Sequence, residues 1–414
     1  MSAIDHKATS TQTAIAPLVA REWASYIEPL LPLAETLAGY LPHQEDAQLR
    51  RELYRSMFAE LTSAFFGLLC TDPDYPEFWP FSCYPFSAFL GNPDSNALTA
   101  PISDQGTYRL IGYRGTVRRI DFQLGTGSFF PRGVPDDAYL GVTLANYFID
   151  DDVHVNADGR FEVLLSRKRP DGYTGDWWEL GAGTTYLLIR QVAYDWINEV
   201  DGRFAIERVD VPAIKPRPNA ATLEQNMKQI AKWIEGSMRV SADYVQRIRK
   251  NQGVNRIAYW DLVNYSAMTT QRYAYGGFDL QRDEALLIEV HVPEQVRYWS
   301  IHLSDDLGFT PDWMHHQINV NGCTAHIDKD GICRMVVSAV DPGVPNWLDT
   351  AGYRTGAIQA RWEKCSSWPD HRTQVCKVAD VRQFLPADTP RITAERRDAE
   401  IRNRRRGAQM RRRW

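Results

Sequence analysis

The sequence lacks most of the signals that announce a chemistry at sight. Its six cysteines, Cys70, Cys83, Cys323, Cys333, Cys365 and Cys376, form no CxxC pair, which removes paired-cysteine zinc sites and thioredoxin-type redox motifs. Spread over 414 residues, they are ordinary for a reducing compartment. A 323/333 or 365/376 disulfide between neighbouring strands is allowed and not implied. No apolar run reaches the roughly 20 residues of a membrane span, and Met1 to Ala20 shows no basic stretch leading into an apolar one. The expectation is a cytoplasmic chain that engages no membrane.

Catalytic motifs are equally scarce. No GxSxG elbow occurs, and no cysteine sits in a triad context. Neither HxH nor HExxH is present, so His291, His302, His315, His316 and His326 read as turn and strand histidines before they read as metal ligands. Gly125-Thr126-Gly127 and Gly181-Ala182-Gly183 lack the P-loop lysine. Asp150-Asp151-Asp152 lacks the alternating ligands and distal glutamate of a calcium loop. No metal and no cofactor are expected.

What is present is hydrophobic and aromatic mass. With 44% hydrophobic residues the chain can bury large cores, and its length suits two to three domains. Thirteen Trp and 19 Tyr must fill those cores or line a ligand pocket. Charge is uneven: residues 391–414 hold ten Arg against three acids, +7, leaving −12 on residues 1–390 with their 37 basic and 49 acidic side chains. Such a tail docks on its own acidic body or on a partner's. No motif that reads bases accompanies it, so nucleic acid is not the expected partner.

Periodicity orders the chain. Ile27, Leu30, Leu31, Leu33 and Leu37, then Leu49, Leu53, Met57, Leu61, Phe65 and Leu68, recur at helical spacing on either side of Pro42. This predicts a helical hairpin over 1–80, interrupted at Pro29 and Pro32, whose apolar face covers a sheet of the following domain. Residues 72–89 carry too much proline for helix or central strand and form an aromatic strap with Phe78, Trp79, Phe81, Tyr84, Phe86 and Phe89. Period-two patterns give a first β-rich domain, 81–215, in which Arg114-Gly115 turns a hairpin between 107–113 and 116–124. Asn219 caps one long linking helix in 216–255. Short strands resume over 256–385, and a basic helix from Thr389-Pro390 closes the chain over 386–414. The fold class is α+β, with two antiparallel sandwich or jelly-roll-like β domains framed by helices.

The most constrained stretch is Asp341-Pro-Gly-Val-Pro-Asn-Trp-Leu-Asp-Thr350. Two prolines and a glycine fix its backbone while amide, indole, carboxylate and hydroxyl groups project from it. Together with Tyr298-Trp299, Asp312-Trp313, Asn321 and Gly356 to Arg361, it resembles the bacterial domain-of-unknown-function family twelve-fourteen. Gly91-Asn-Pro-Asp94, Gly175 to Leu180, Arg190-Gln191 and Tyr194-Asp-Trp196 are similar to segments that accompany that domain, so the resemblance covers most of residues 85–390. It implies a β-rich C-terminal domain and no settled reaction.

On the residues, carboxylate acid–base work is the chemistry left open. Asp349 stands beside Trp347 and Asn346; Asp305, Asp306 and Asp312 follow a predicted strand. Should the two loops meet, a carboxyl against an indole has its pKa raised by desolvation while a wetter partner stays ionised. That suits proton transfer on a sugar, a polyol or another small hydroxylated or partly apolar molecule. Asp349, Asp305 and Asp306 are the catalytic candidates; Asn346, Trp347, Trp313, His315, Asn321 and Arg361 are the substrate-binding ones. Two other readings stand beside this one. Asp349 can be structural, held by backbone N–H groups or by Arg361, and the protein can be a non-catalytic small-molecule binder or scaffold, with a homo-oligomer left open.

Overall fold

Burial along the strands decides the layering. The computed structural model describes residues 10–82, 84, 89–127, 142–260 and 271–411. In β3 (Tyr108–Tyr113), β6 (Arg160–Ser166) and β9 (Arg203–Arg208) covered and accessible side chains alternate, as in a sheet with one wet face. By contrast β4 (Arg119–Thr126) and β8 (Thr184–Val192) are buried almost throughout. The first three, with β7 (Asp176–Glu179), make a four-stranded sheet of order β7-β6-β3-β9. The last two join β1 (Trp79–Ser82), β2 (Ser95–Pro101) and β5 (Thr143–Phe148) in the order β1-β2-β8-β4-β5. Phe122 of β4 fills the space between the two sheets, with Trp178, Phe204 and Phe161 at 5.0, 6.0 and 6.2 Å.

The second half repeats this winding. Its strands are β10 (Ala258–Trp260), β11 (Gln271–Asp279), β12 (Glu284–His291), β13 (Val296–Ser304), β14 (Asn319–Asn321), β15 (Ile332–Ser338), β16 (Trp347–Asp349), β17 (Thr355–Cys365) and β18 (His371–Lys377). They form sheets of order β10-β11-β17-β13-β14 and β16-β15-β12-β18. Adding nine to each strand number of the first unit gives the second, and the parallel pair β6/β7 recurs as β15/β16. The described chain is a tandem repeat of a nine-stranded, two-sheet unit. Sequence reading gives two β-rich halves without their kinship, because the units share alternating apolar positions, Ile120-Phe122-Leu124 against Trp299-Ile301-Leu303, and few residues.

Several local expectations change. Arg114-Gly115 does turn the chain, with Gly115 at φ 65, but β3 and β4 enter different sheets, so the turn is a crossing between layers and no hairpin. The linking helix is two helices, α5 (Ala220–Lys228), capped by Asn219 on Thr222 N–H at 2.9 Å, and α6 (Ile230–Gln252), with Gln229 between them. Within 256–385, read as a run of short strands, Thr324–Ile327 is irregular. Phe86 and Cys83 of the predicted strap lie outside the described residues; Trp79 and Phe81 form the edge strand β1.

Helices precede each unit. α1 (Ser10–Ile27) and α2 (Leu33–Ala38) are separated at Pro29 and Pro32, and α3 (Ala47–Phe65) is capped by Asp46, which accepts from Gln48 N–H at 2.7 Å. The apolar face of α3 packs chiefly on another helix, and only its end, at Ala64, meets Trp79 of the edge strand β1. Leu53 packs with Ile234 and Met238 of α6 and with Leu307 and Phe309, because α6 offers a matching apolar stripe. Among the described residues no helix is long and apolar enough to cross a membrane.

The closing helix, α7 (Ala394–Met410), starts at Thr393, which accepts from Arg396 N–H, a few residues after the predicted Pro390. One face of it, with Arg397, Gly407 and Ala408 buried, runs into the seam between the units. A Cβ on Gly407 would stand 3.0 Å from Trp196, so only glycine lets the helix backbone come that close. Arg404 stacks 4.0 Å over the Trp196 ring and donates to Trp313 O and Asn319 Oδ1. Arg411 pairs with Asp201 at 2.9 Å and donates to Asp94 O. The shared anion is Asp94, wholly buried, whose carboxylate accepts from Trp196, Asn319, Asn321 and Tyr298 at 2.8–3.0 Å. Burial raises the Asp94 pKa and lowers that of Arg404 to about 9, so each needs the other's charge.

Candidate functional site

Of the constrained loop, the structure uses the amide, indole and carboxylate groups on its own framework, while the buried Thr350 hydroxyl has no partner among the described residues. Asn346 adopts φ 54, donates to His326 O and Arg334 O at 2.7 and 2.9 Å, and accepts from His326 N–H. Trp347 donates to Ser338 O at 3.1 Å under the Arg397 guanidinium. Asp349 accepts from Ala351 N–H at 2.8 Å and from His316 Nδ1 at 2.6 Å, and that carboxylate raises the His316 pKa. Arg361 does not reach it. This is the geometry of a clamp for β16 against β15, and Trp347–Asp349 is itself a strand.

The two loops nevertheless meet a step further on. Tyr353, just past Asp349, and Asp305, Trp313 and their neighbours wall a cavity of 160 Å³, closed from the other side by Glu52 and Arg55 of α3 and by Tyr84. That is comparable to the roughly 150 Å³ of cavities known to admit benzene. Asp305 follows β13 directly, with its Oδ1 fixed by Leu307 and Phe309 N–H at 3.0 and 2.8 Å. Its other oxygen has no hydrogen bond to a described residue. Burial, with Asp306 adding to it, pushes the Asp305 carboxyl up to about 7 against the pull of those amides. Burial, then the charges of Asp305 and Glu52, raise the Tyr353 phenol far above its usual range, with Arg55 opposing. The carboxyls of Glu52, Asp305 and Asp312, the Tyr353 phenol and the Arg55 guanidinium thus share one small aromatic chamber.

The other predicted residues part company. Asp306 is held by Thr355 and, at 3.4 Å, by Arg249. Trp313 lines the cavity and packs edge-on to Trp196 and Tyr84 at 5.1 and 5.7 Å. His315 hydrogen-bonds Asp312 at 2.8 Å on the surface. Asn321 serves the Asp94 seam. Arg361 lies on the face of β17 that looks toward the first unit. Sequence reasoning missed Glu52, Arg55 and Tyr353 as cavity groups. The signal for Glu52 is an acid directly beside Leu53 of the α3 apolar stripe. Among the described residues no three His, Cys, Asp or Glu side chains converge as a metal site would require.

No family model and no curated protein matches the chain. Among solved structures it is similar to an uncharacterized protein from Burkholderia cenocepacia, with 26% identity, a TM-score of 0.78, and coverage of 87% of this chain and 98% of that one. A protein from Vibrio parahaemolyticus matches at 11% identity and a TM-score of 0.43, over 78% of this chain and 98% of its own.

Proposed function

We propose that the protein performs cofactor-independent acid–base chemistry on a small hydroxylated or partly apolar organic molecule in the cavity between α3 and residues 305–313. The observation that carries this reading is the Asp305 carboxyl: buried, held near neutrality at about 7, and opening on a chamber that it shares with Glu52 and Tyr353. A group half protonated at neutral pH is available both as a general base toward a substrate hydroxyl as its bond rearranges and as the general acid that returns the proton. Glu52 supplies the second carboxylate, Tyr353 a donor, and Arg55 the compensating charge. Asp349 and Asp306 take no part in this version.

With it go a cytoplasmic location, in keeping with the free thiols of Cys70, Cys323, Cys333, Cys365 and Cys376, and kinship of residues 85–390 to family twelve-fourteen. The jelly-roll assignment of each unit belongs here too, supported by the paired sheets. The test is a proton-NMR screen of cyclic polyols, sugars and hydroxy acids with wild type and Asp305→Asn. The amide keeps an oxygen for the Leu307 and Phe309 N–H groups, so the variant should stay folded and lose about 10²-fold or more of turnover. Turnover unchanged by Asp305→Asn refutes the proposal. Compounds that wild type binds and never converts would favour the non-catalytic binder.

A further inference from the structure

The two five-stranded sheets turn their second faces toward each other, and those faces are polar. On β11, β17 and β13 three cross-strand rows stand side by side: Gln271–Glu363–Tyr298, Tyr273–Arg361–Ser300 and Tyr275–Gln359–His302. Opposite them β8 and β4 present Arg190 beside Asp121, with Arg119 and Gln123 on the same face of β4. The faces meet where Arg119 bridges to Glu363 and where Tyr273 lies in the field of Arg361, Arg190 and Arg119 together.

The arginines of the two central strands are related by the repeat. Each is the seventh residue of its strand, Arg190 in β8 and Arg361 in β17. Arg190 pairs in register with Asp121 and Ala97, Arg361 with Ser300 and Tyr273. Their charges are treated differently. Arg190 is neutralised by Asp121 at 3.0 Å and also donates to Gln123. Arg361 has a serine where Arg190 has its aspartate, and among the described residues no carboxylate lies within ion-pair distance of it. Its guanidinium donates to Leu90 O at 2.9 Å and to the His302 ring at 3.1 Å. His302 Nε2 lies 3.1 Å from the same Leu90 carbonyl, which therefore accepts an N–H and leaves Nδ1 to accept from Arg361. Burial, then the Arg361 charge, holds that imidazole neutral. A cation enclosed in this way without a counter-charge is costly unless an anion completes it.

Two further features point to a ligand. Gln359, 4% exposed, donates to Tyr275 at 2.7 Å and leaves its amide oxygen without a donor among the described residues. Tyr273, Tyr244 and Arg361 each keep part of their surface accessible, so the described residues do not close over this end of the rows. Tyr244 and Trp260, stacked at 5.4 Å, both pack against Tyr275, at 5.7 and 6.0 Å, and set an aromatic surface beside these rows.

We propose that this space binds a small organic carboxylate, its acidic group on Arg361 and beside Tyr273, its ring or apolar body against Tyr244 and Trp260. Guanidinium and carboxylate match as a planar fork, and a hydroxyl on the ligand would find the free Gln359 oxygen. This site is separate from the Asp305 cavity and stands or falls without it.

The experiment is calorimetric titration of the full chain with benzoate, 4-hydroxybenzoate and cyclohexanecarboxylate, each against its own carboxamide, and with inorganic phosphate. Carboxylates should bind at least about tenfold more tightly than their amides, an ion-paired hydrogen bond being worth that or more. 4-Hydroxybenzoate should bind tighter than benzoate. Arg361→Met should abolish the difference between acid and amide while leaving the melting temperature of the ligand-free protein unchanged or raised. Equal binding of acid and amide by wild type, binding of phosphate alone, no binding of any carboxylate, or full carboxylate affinity retained by Arg361→Met would each overturn the proposal.

Discussion

The two nine-stranded units are wound alike and charged differently. In the first, the two arginines on the facing side of the central strands answer to acids: Arg119 to Asp121 and Glu363, Arg190 to Asp121. In the second, Glu363 serves the first unit's arginine and Arg361 is left with a neutral imidazole and a carbonyl. The inward positions, Ile120-Phe122-Leu124 and Trp299-Ile301-Leu303, stay apolar in both. The lesson is that a two-sheet unit is specified by one face of each inner strand, which leaves the other face free to acquire chemistry.

Four measurements bear on this comparison. The greatest effect should come from Asp94→Ala, which strips the seam of its common acceptor and leaves Arg404 buried without an anion. A loss of about 3–5 kcal/mol is expected, and urea denaturation should resolve two transitions in place of one as the units uncouple. Next, Arg190→Met should cost about 1–3 kcal/mol, since Asp121 and Gln123 lose a donor, while Arg361→Met should cost nothing net, because removal of a cation with no carboxylate partner offsets the donor that His302 Nδ1 loses. Equal losses for the pair would erase the distinction between the units.

Third comes pH. The folded Glu60 carboxyl, buried between α3 and α6 with Ser237 at 2.7 Å, is raised by burial to about 7 from 4.5, and Asp305 moves the same way from 3.8. A folded pKa above the unfolded one means that the native state holds the extra proton, so stability falls as pH rises from about 4.5 to 7 and beyond. Melting temperatures between pH 5 and 8 should decline in wild type and decline less steeply in Glu60→Gln, where Asp305 still contributes. A profile that keeps its slope in the variant would contradict this assignment.

The smallest effect belongs to the constrained loop. Asp349→Asn should lower stability by about 1 kcal/mol or less, and more at pH 5.5 than at pH 8. His316, whose pKa Asp349 raises, lends its stabilisation below its unfolded value of 6.5 and loses it as pH climbs through the folded one. Asp349→Asn that melts like wild type while altering ligand binding would return the loop to the site.

Much of the fold was legible because burial follows periodicity: the α3 stripe, the strand alternation and the Asn219 cap all show in the residue order. The layer crossing at Gly115 was not, since a turn between two strands looks the same whether they pair or diverge. The cavity was half visible. Asp305 and Trp313 are close in sequence and rich in chemistry, whereas Glu52 and Tyr353 reach the chamber from distant segments. Asp341 to Thr350 misled for a physical reason. A backbone so tightly fixed spends its polar groups on fixing itself, and Asn346 and Asp349 do so.

Arg411 and the Asp94 carbonyl that it caps are 317 positions apart in the chain. During synthesis both β units therefore leave the ribosome before the helix that fastens them arrives. Until then Trp196 and the Asp94 carboxylate, both of the first unit, lie at an unlatched joint, and a nascent chain halted ahead of α7 should be the form that chaperones and proteases meet most readily.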